Sequence, residues 1–565
     1  MRKIIVAAGF LATFSLGFSQ EKADKDLMTW YHKDFSTQNV YGVNTQNAYK
    51  FLESKGLKPQ TVVVGVLDSG VEVDHPGLVK NMWKNPNEVP NNGKDDDNNG
   101  YVDDIYGWNF IGGKNGDIDV DNMEVTRVVK KYQPIFEGSN SSENKANQSK
   151  MAEEYAMYVK AKDVFNKKSI EAKQNYQFYK GFSDAIPSVV ATLKGKNLTS
   201  ENLNSIKPAT QEEARNLQIL SSVLQDPKAN GKSPAEVQKF LQDEINVALK
   251  HYEPQATQQY NLDFDPRASI VGDNYEDYNE RKYGNNHYEG PDAQHGTHVA
   301  GIIAGYPQGK EIQYGVAYKV AKIMTVRAVP DGDERDKDVA NAVRYAVDNG
   351  AKILNMSFGK PVSPGKQVVW DAFKYAQDKG VLLVKAAGND NQNIEQNEYF
   401  PTNFKKQSDE KPFINNMIVV GASTKDNEFL RAEFSNYNRK MVNVFAPGNE
   451  IYSTVPNGKY EYLQGTSMAS PVVAGAAAVL LAYMPTLKPE QIIESLVKTV
   501  NKSEVNAMID SNINNKFDLI SESGGVIDVY KAAQYAYNNF YRGSGTLSKE
   551  EAKKAPQRKR AKVRK

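Results

Sequence analysis

The stretch Gly465-Thr466-Ser467-Met468-Ala469-Ser470-Pro471 places a serine between a glycine and a run of small apolar residues, 472–481. Glycine permits a tight backbone turn, and the apolar run predicts a buried helix that begins close to Ser467. Pro471 is expected in the first helical turn, where its missing N–H group costs little. The Ser467 hydroxyl would then lie beside free N–H groups at the positive end of the helix dipole. Such a serine is a candidate nucleophile, which needs a base, an orienting acid and a second oxyanion donor.

Length and composition exclude several classes of protein. The chain has 565 residues, enough for one catalytic domain with large insertions. Its formal net charge is +1, so no overall charge favours nucleic acid or a membrane surface. Cys is absent, which excludes disulfides, a thiol nucleophile and cysteine-ligated zinc. Residues 541–565 are strongly basic and are predicted to form a flexible, solvated tail, with a partner-binding arm as the alternative.

The N-terminus has the pattern of a secretory signal. Arg2 and Lys3 precede the apolar run 4–16, and small residues follow it. The run is shorter than the roughly 20 residues that a membrane span needs, although a retained anchor is the alternative interpretation. We predict a signal peptide over residues 1–19 and a secreted or periplasmic protein. Residues 20–60 leave little room for a folding-assisting propeptide, so the chain is expected to fold without one.

A first buried strand follows this N-terminal segment. Residues 61–67 form a continuous apolar run, which is typical of a parallel strand covered on both faces. The run ends at Asp68-Ser69-Gly70. The carboxyl end of a parallel strand is where α/β proteins place functional groups, so Asp68 is a candidate site residue. Taken alone, Asp68 is better interpreted as a turn residue at the end of a strand.

An acidic loop comes next, with the sequence Asp95-Asp96-Asp97-Asn98-Asn99-Gly100-Tyr101-Val102-Asp103-Asp104. Oxygen donors at alternate positions, followed by a glycine, are typical of the first half of a calcium loop. Position twelve of such a loop is Tyr106, so the bidentate glutamate of an EF-hand is missing. The pattern predicts a structural Ca²⁺ site, with a solvated acidic turn as the alternative. The candidate ligands are Asp95, Asp97, Asn99, Asp103 and Asp104.

Residues 112–283 have a different character. Segments 142–180 and 212–252 are rich in Ala, Glu, Lys, Gln and Leu, with apolar residues at three-to-four spacing. This periodicity predicts amphipathic helices, so we interpret residues 112–283 as a mostly helical insertion. Its tyrosines are predicted to pack rather than to bind a ligand, and no catalytic constellation is found in it.

Two histidines follow in the motif His295-Gly296-Thr297-His298, which small and apolar residues continue to Gly305. Histidines three apart share a helix face, so zinc binding is one interpretation, although the glutamate of an HExxH motif is missing. Alternatively, His295 at the start of the helix is a general base that works near neutral pH. His298, one turn into an apolar helix, is predicted to be a buried, hydrogen-bonded structural histidine.

In this chain order, the motifs at Asp68, His295 and Ser467 resemble those of the subtilisin-like serine peptidases (subtilases, peptidase S8 family). The order Asp, His, Ser is that of subtilisin itself. The resemblance covers about residues 40–110 and 283–536, but neither the helical insertion nor the basic tail. It implies a three-layer α/β fold with a mostly parallel central sheet, and a peptidase domain formed by residues 61–111 and 284–540.

The resemblance also implies an oxyanion donor and a substrate cleft. Asn389, which follows the apolar run 381–387, would donate its side-chain N–H to the oxyanion. Two segments are expected to line the cleft, Ser357-Phe358-Gly359 and Ala386-Ala387-Gly388. An extended peptide would add to the first segment through backbone hydrogen bonds. Small residues along both segments predict an open, apolar pocket for the P1 side chain.

The remaining pattern alternates strands and helices, as an α/β sheet requires. Strands are predicted at 320–327, 353–358, 417–423 and 442–446, and helices at 45–55, 338–348, 366–379, 489–500 and 529–537.

These residues together predict a secreted serine endopeptidase that acts on proteins or peptides and needs no cofactor for catalysis. His295 would take the proton of Ser467, and Asp68 would fix the tautomer of His295. The alternative is a catalytically silent binding or scaffold protein with the same fold. No nucleic-acid partner and no membrane span are expected. The helical insertion is a candidate lid, docking surface for a partner, or internal inhibitor.

Overall fold

The computed structural model describes residues 25–309, 311–503, 506–509 and 512–542. The predicted signal peptide, residues 1–19, and residues 543–565 of the predicted basic tail lie outside this part of the chain.

Nine strands form the central sheet, in the order β12-β15-β9-β8-β7-β6-β1-β5-β2, and all neighbouring pairs are parallel except β12 with β15. The described strands are β1 (Val62–Asp68), β2 (Gly107–Asn109), β3 (Gly112–Gly113), β4 (Gly116–Asp117), β5 (Ala321–Arg327), β6 (Ile353–Met356), β7 (Leu382–Ala386), β8 (Met417–Ser423), β9 (Val444–Pro447), β10 (Ile451–Val455), β11 (Lys459–Leu463), β12 (Asn501–Lys502), β13 (Asn506–Ile509), β14 (Asn512–Lys516) and β15 (Gly525–Val526). The predicted α/β fold with a mostly parallel central sheet is confirmed.

The described α-helices are α1 (Lys25–Met28), α2 (Phe35–Gln38), α3 (Thr45–Ser54), α4 (Glu124–Phe136), α5 (Ser141–Lys150), α6 (Ala152–Ala191), α7 (Ser200–Ser205), α8 (Gln211–Val223), α9 (Pro234–Pro254), α10 (Arg267–Ile270), α11 (Gln294–Ala304), α12 (Asp336–Asp348), α13 (Lys366–Asp378), α14 (Thr466–Tyr483), α15 (Pro489–Lys498) and α16 (Val529–Ala536).

Helices cover both faces of the sheet, and this explains why its strands are continuous apolar runs. On one face, α11 and α14 pack in a single core with β1 residues such as Val64 and Val66. On the other face, α12 and α13 pack in a second core with Leu67 of the same strand. Successive β1 side chains therefore enter opposite cores, because side chains alternate along a strand.

Helix α14 lies in the middle of the molecule. It is the one helix in the described chain that is long and apolar enough to cross a membrane, but 89% of its apolar window is buried inside the fold. Its composition is that of a core helix that contacts β6, β7, β8 and β9.

Helices α4 to α10 lie between β4 and α11 in the sequence. Helix α6, of 40 residues, packs against α9, and the two share a core of their own with α8. Helix α4 packs against the first half of α6. The N-terminal end of α4 is joined to the sheet domain by buried ions: Lys360 lies 2.6 Å from Glu124 and 2.9 Å from Asp336. This segment therefore has its own apolar packing and a charged contact with the sheet.

Candidate active site

Asp68 and His295 meet at the carboxyl end of β1. His295 is the second residue of α11, and its Nδ1 lies 2.7 Å from Oδ1 of Asp68, which also accepts the backbone N–H of Ser69 at 2.8 Å. Asp68 is 2% exposed, so its carboxylate is shielded from water. The backbone turns sharply after it at Gly70, whose φ is +122° and where a Cβ would lie 2.0 Å from the carbonyl oxygen of Glu289. Glycine is required there because any side chain would collide with that backbone.

The electrostatics of His295 follow from this pair. Burial in the cleft acts to lower the pKa of the imidazole, but the charge and hydrogen bond of Asp68 outweigh it, and the pKa of His295 is raised above 6.5. The side chain is 39% exposed, so its outer nitrogen is accessible from the cleft. A histidine with one nitrogen held by a carboxylate and the other accessible is arranged as a general base.

Ser467 is the second residue of α14, and the predicted helix start is found. Pro471, however, is the sixth helical residue rather than part of the first turn. It therefore leaves the carbonyl oxygen of Ser467 without its helical N–H partner. The hydroxyl of Ser357 supplies that partner, because its Oγ donates to the carbonyl oxygen of Ser467 at 2.9 Å.

The Ser467 side chain completes a reciprocal contact. Its Oγ donates to the carbonyl oxygen of Ser357 at 3.1 Å. In the part of the chain that the structure describes, it makes no hydrogen bond to His295. Behind this contact, Asn355 donates from Nδ2 to Ser357 Oγ at 2.9 Å and accepts from Ser470 Oγ at 2.9 Å. The end of β6 and the start of α14 are thus joined by four side chains.

Asn389 follows β7 and is tied to the same helix start. Its Oδ1 accepts the backbone N–H of Thr466 at 2.8 Å and the Thr466 hydroxyl at 3.0 Å. The side chain is exposed, and within the described chain its Nδ2 has no acceptor. The amide is therefore fixed through its oxygen, which leaves its N–H groups available as donors beside the N-terminus of α14.

His298 lies apart from this group. It is fully buried, and its Nε2 donates to the carbonyl oxygen of Glu461 at 3.1 Å. Burial lowers the pKa of His298 to about 3, so the ring is neutral. The two histidines bind different partners, as expected for a structural histidine beside a candidate base rather than a shared zinc site.

The two predicted substrate segments follow neighbouring parallel strands. Residues 357–359 continue from β6 and residues 386–388 from β7, and the two strands are hydrogen-bonded over Ile353–Met356 and Leu382–Lys385. The ring of Tyr399 lies against both segments, since a Cβ at Gly359 or at Gly388 would be 2.4 Å or 2.8 Å from its Cε1 atom. An aromatic side chain from a distant part of the chain thus lies against the two segments whose small residues predict an open P1 pocket.

A cleft of about 600 Å³ opens beside Asp68 and His295. Lys250 and Pro254, at the end of α9, form part of its wall. Three carboxylates also line it: Asp119, Asp292 and Asp331. The helical segment α4–α10 thus contributes directly to the cleft.

The acidic loop forms a carboxylate cluster whose members differ from the predicted set. Asp95 and Asp97 converge with Glu88, and their ligand atoms lie within 4.8 Å of one another. Asp103 instead accepts the backbone N–H groups of Asn92 and Gly93, at 3.1 and 2.8 Å.

The other two predicted ligands are also engaged with protein donors. Asp104 accepts from Asn85 at 2.7 Å and from Tyr345 at 2.6 Å. The Oδ1 atom of Asn99 accepts the backbone N–H of Tyr101 at 2.8 Å. Glu88 adds a carboxylate to Asp95 and Asp97 that sequence spacing did not reveal, because it precedes the loop. The Ca²⁺ site itself stays a prediction.

Comparisons with known proteins show which family the chain matches. Residues 60–545 match the family model described as the Subtilase family. The chain is similar to the cell wall-associated protease of Bacillus subtilis (strain 168), with 34% identity over 235 residues that cover 41% of this chain and 24% of that protein. It is 35% identical to subtilisin DY of Bacillus licheniformis, over 36% of this chain and 69% of the relative. It is 36% identical to thermitase of Thermoactinomyces vulgaris, over 43% of this chain and 75% of the relative. The chain thus spans between 24% and 75% of the length of these relatives.

Proposed function

This chain belongs to the subtilase family, and from that premise we propose that it is a secreted serine endopeptidase that acts through Asp68, His295 and Ser467. The observation that carries the proposal is the 2.7 Å contact between the buried Asp68 and the cleft-exposed His295, beside a helix that presents Ser467 at its second residue. We assign this role to a peptidase domain of residues 61–111 and 284–540, with residues 112–283 as an insertion in it.

The proposed reaction begins with a change at Ser467. Its hydroxyl turns from the carbonyl of Ser357 to the outer nitrogen of His295, which takes the proton as the oxygen attacks the scissile carbonyl. Asp68 holds the tautomer that leaves this nitrogen free and stabilises the imidazolium that forms. His295 then protonates the leaving amine, and water hydrolyses the acyl-enzyme by the reverse proton transfers.

The oxyanion of the tetrahedral intermediate would be stabilised by two donors. These are the backbone N–H of Ser467 and the Nδ2 group of Asn389, whose oxygen is held by Thr466. The positive end of the α14 dipole adds to this stabilisation because its first N–H groups are free of helical partners. Substrate would lie extended along Ser357, Phe358 and Gly359 on one side and Ala386, Ala387 and Gly388 on the other, through backbone hydrogen bonds.

Digestion of an unstructured protein tests the activity. The purified full chain should release peptides from it, and Ser467→Ala should abolish release because the nucleophile is lost. Ser149→Ala removes a hydroxyl from the exposed face of α5, far from the site in sequence, and should digest the substrate at the native rate. Equal digestion by the native chain and Ser467→Ala would contradict the proposal, as would an inactive native chain, which is the outcome for a binding or scaffold protein.

We also propose that the acidic loop holds a structural Ca²⁺ ion, with Glu88, Asp95 and Asp97 as its carboxylate ligands. Glu88 is 7% exposed, and its Oε2 is buried with no hydrogen-bond partner in the described chain. A buried carboxylate oxygen without a donor is costly, and a hard cation with oxygen ligands would relieve that cost. The ion takes no part in the reaction.

Chelation tests this site through stability. EDTA should lower the melting temperature of the Ser467→Ala protein, and added Ca²⁺ should restore it. Glu88→Gln should lower the melting temperature in Ca²⁺ and remove the response to EDTA. A melting temperature that EDTA leaves unchanged would contradict the proposal.

The location rests on the N-terminal sequence. We propose that residues 1–19 direct export and are removed, which places the enzyme in the periplasm or outside the cell. N-terminal sequencing of the mature protein should begin within a few residues of Gln20, and a mature chain that starts at Met1 would contradict export by cleavage.

A further inference from the structure

We propose that Tyr399 restricts the proposed peptidase to small P1 residues, namely Gly, Ala and Ser, by filling the space into which a P1 side chain would enter. The inference rests on the proposed function, because it assigns the selectivity of the same site. Its starting point is the aromatic ring that lies where the sequence predicts an open pocket.

The geometry places the edge of the Tyr399 ring against both substrate segments. A Cβ built on Gly359 would lie 2.4 Å from Cε1 and 2.9 Å from Cζ of the ring. A Cβ built on Gly388 would lie 2.8 Å from each of the same two atoms. All of these distances are shorter than a non-bonded contact between two carbon atoms allows. The ring is therefore in contact with the backbone of each glycine. The ring therefore bridges the gap between the two segments.

The backbone around Tyr399 holds the ring in this place. The next residue, Phe400, pairs with Lys360, and their N–H groups and carbonyls exchange hydrogen bonds of 2.8 and 2.9 Å. Lys360 directly follows Gly359, so this antiparallel pair holds the residue after Tyr399 beside the end of the first substrate segment. Lys360 is itself held by the buried carboxylates of Glu124 and Asp336.

A buried lysine contacts the ring from the second strand. Lys385 of β7 is 2% exposed, and its Nζ lies 4.6 Å from the ring centroid of Tyr399. The same Nζ donates to the carbonyl oxygen of Ala386 at 2.8 Å. Burial lowers the pKa of the Lys385 amine to about 7, and the protonated form of this amine is attracted to an aromatic face. The ring thus has partners on both segments and cannot leave without breaking these contacts.

Selectivity follows from the occupied volume. A substrate that pairs with both segments directs its P1 side chain between them, where the half-buried Tyr399 lies. A methyl or hydroxymethyl group fits above the ring edge, whereas Leu or Phe would have to displace it. In a hydrophobic pocket a single methylene changes kcat/KM by about 10- to 200-fold, so exclusion of a phenyl group is expected to exceed 10-fold.

The test compares peptides that differ only at P1, with Ala, Leu or Phe in that position and the other residues fixed. The native full chain should have a kcat/KM for the Ala peptide at least about 10-fold above that for the Phe peptide. Tyr399→Ala should bring this ratio to one or below, since it empties the pocket. Tyr399→Phe keeps the ring and should keep the native ratio. Tyr375→Ala removes an equal ring from α13, where its hydroxyl contacts Asp348, and should also keep it.

A second measurement uses only the native chain, so it does not depend on whether a variant folds. Mass-spectrometric mapping of the cleavage sites made by the native chain in an unstructured protein should show Gly, Ala and Ser at P1. Cleavage mainly after Phe or Leu, or a Tyr399→Ala ratio equal to the native one, would overturn the assignment while leaving the peptidase activity standing. A native chain that cleaves none of these substrates would overturn the proposed function, and the P1 assignment with it.

Discussion

Asp68 uses one carboxylate oxygen for two partners, the backbone N–H of Ser69 and the imidazole of His295. Its other oxygen, Oδ2, is buried and has no hydrogen-bond partner in the described chain. The negative charge is thus poorly solvated and lies directly against the histidine. This arrangement raises the affinity of His295 for a proton and holds its ring in one orientation.

Asp68→Asn should change both the rate and its pH dependence. His295 must be neutral to act as a base, so kcat/KM of the native chain should rise with pH through a midpoint above 6.5, where its raised pKa lies. The amide removes the charge that raises this pKa, so the midpoint should move to lower pH. The rate at high pH should fall about 10⁴-fold, because the wrong tautomer is favoured. A pH–rate profile checks both effects, and an unshifted midpoint would contradict the role given to Asp68.

Asn389→Ala should lower kcat and leave KM nearly unchanged. The amide is expected to bind the oxyanion of the transition state and not the ground-state carbonyl, so its loss affects turnover. The expected loss, about 10²- to 10³-fold, is the magnitude that removal of the oxyanion amide has in subtilisin itself. Steady-state kinetics separate the two constants, and a rise in KM at constant kcat would assign Asn389 to substrate binding instead.

Among the site residues, the sequence predicts those that lie in a recognisable local pattern. Asp68, His295 and Ser467 each lie at the end of a strand or the start of a helix, and the apolar runs beside them made these positions recognisable. Tyr399 and Glu88 have no such pattern. Each reaches its neighbours only through tertiary contacts, so the spacing of residues along the chain did not indicate that Tyr399 lies against the predicted substrate segments or that Glu88 lies beside Asp95 and Asp97.

Among the helices, α4 is attached to the sheet domain by buried ion pairs. Glu124 at its first residue is 2% exposed and contacts Lys360 at 2.6 Å and Arg127 at 2.8 Å. Burial acts to raise the pKa of Glu124, but the two cations outweigh it and lower the pKa to about 2. The carboxylate is therefore ionised at neutral pH, and Lys360 depends on it for compensation of its own buried charge.

Glu124→Gln should destabilise the protein by about 3 kcal/mol, because it leaves buried cations with one fewer counter-charge. Glu171→Gln is the matched control, since that exposed carboxylate pairs with Lys168 on the surface of α6 and should cost less than about 1 kcal/mol. Urea unfolding of the two variants and the native chain measures the difference. Equal shifts in the two variants would show that the buried cluster does not hold α4 to the sheet.

The boundaries of the elements show which physical signals are local. The strand predicted at 417–423 is found at Met417–Ser423, and the helix predicted at 366–379 ends one residue earlier, at Asp378. A polar residue follows each of these elements, and most of the apolar residues within each are buried in the fold. The strand predicted at 442–446 is instead Val444–Pro447, because its limits depend on pairing with β8 and β15 and not on its own composition.

In the whole molecule, the parallel sheet brings distant parts of the chain to one edge. Asp68 is the last residue of β1, and Ser357 and Asn389 follow β6 and β7. The three strands are neighbours in the sheet, and α14 contacts all of them. The order of these strands was not predictable from the sequence, although the alternation of strands and helices was. Lys250 and Pro254 of α9 add a wall to the cleft that no sequence motif indicated.

We propose that this assembly makes Ser467 a nucleophile. A fluorophosphonate probe reacts with an activated serine and not with an ordinary hydroxyl, so the mass of the adduct and its position can be measured directly. We expect the native chain to carry one adduct, on Ser467, and His295→Ala to carry none after the same incubation. A native chain without an adduct, or one labelled equally well without His295, would contradict the account.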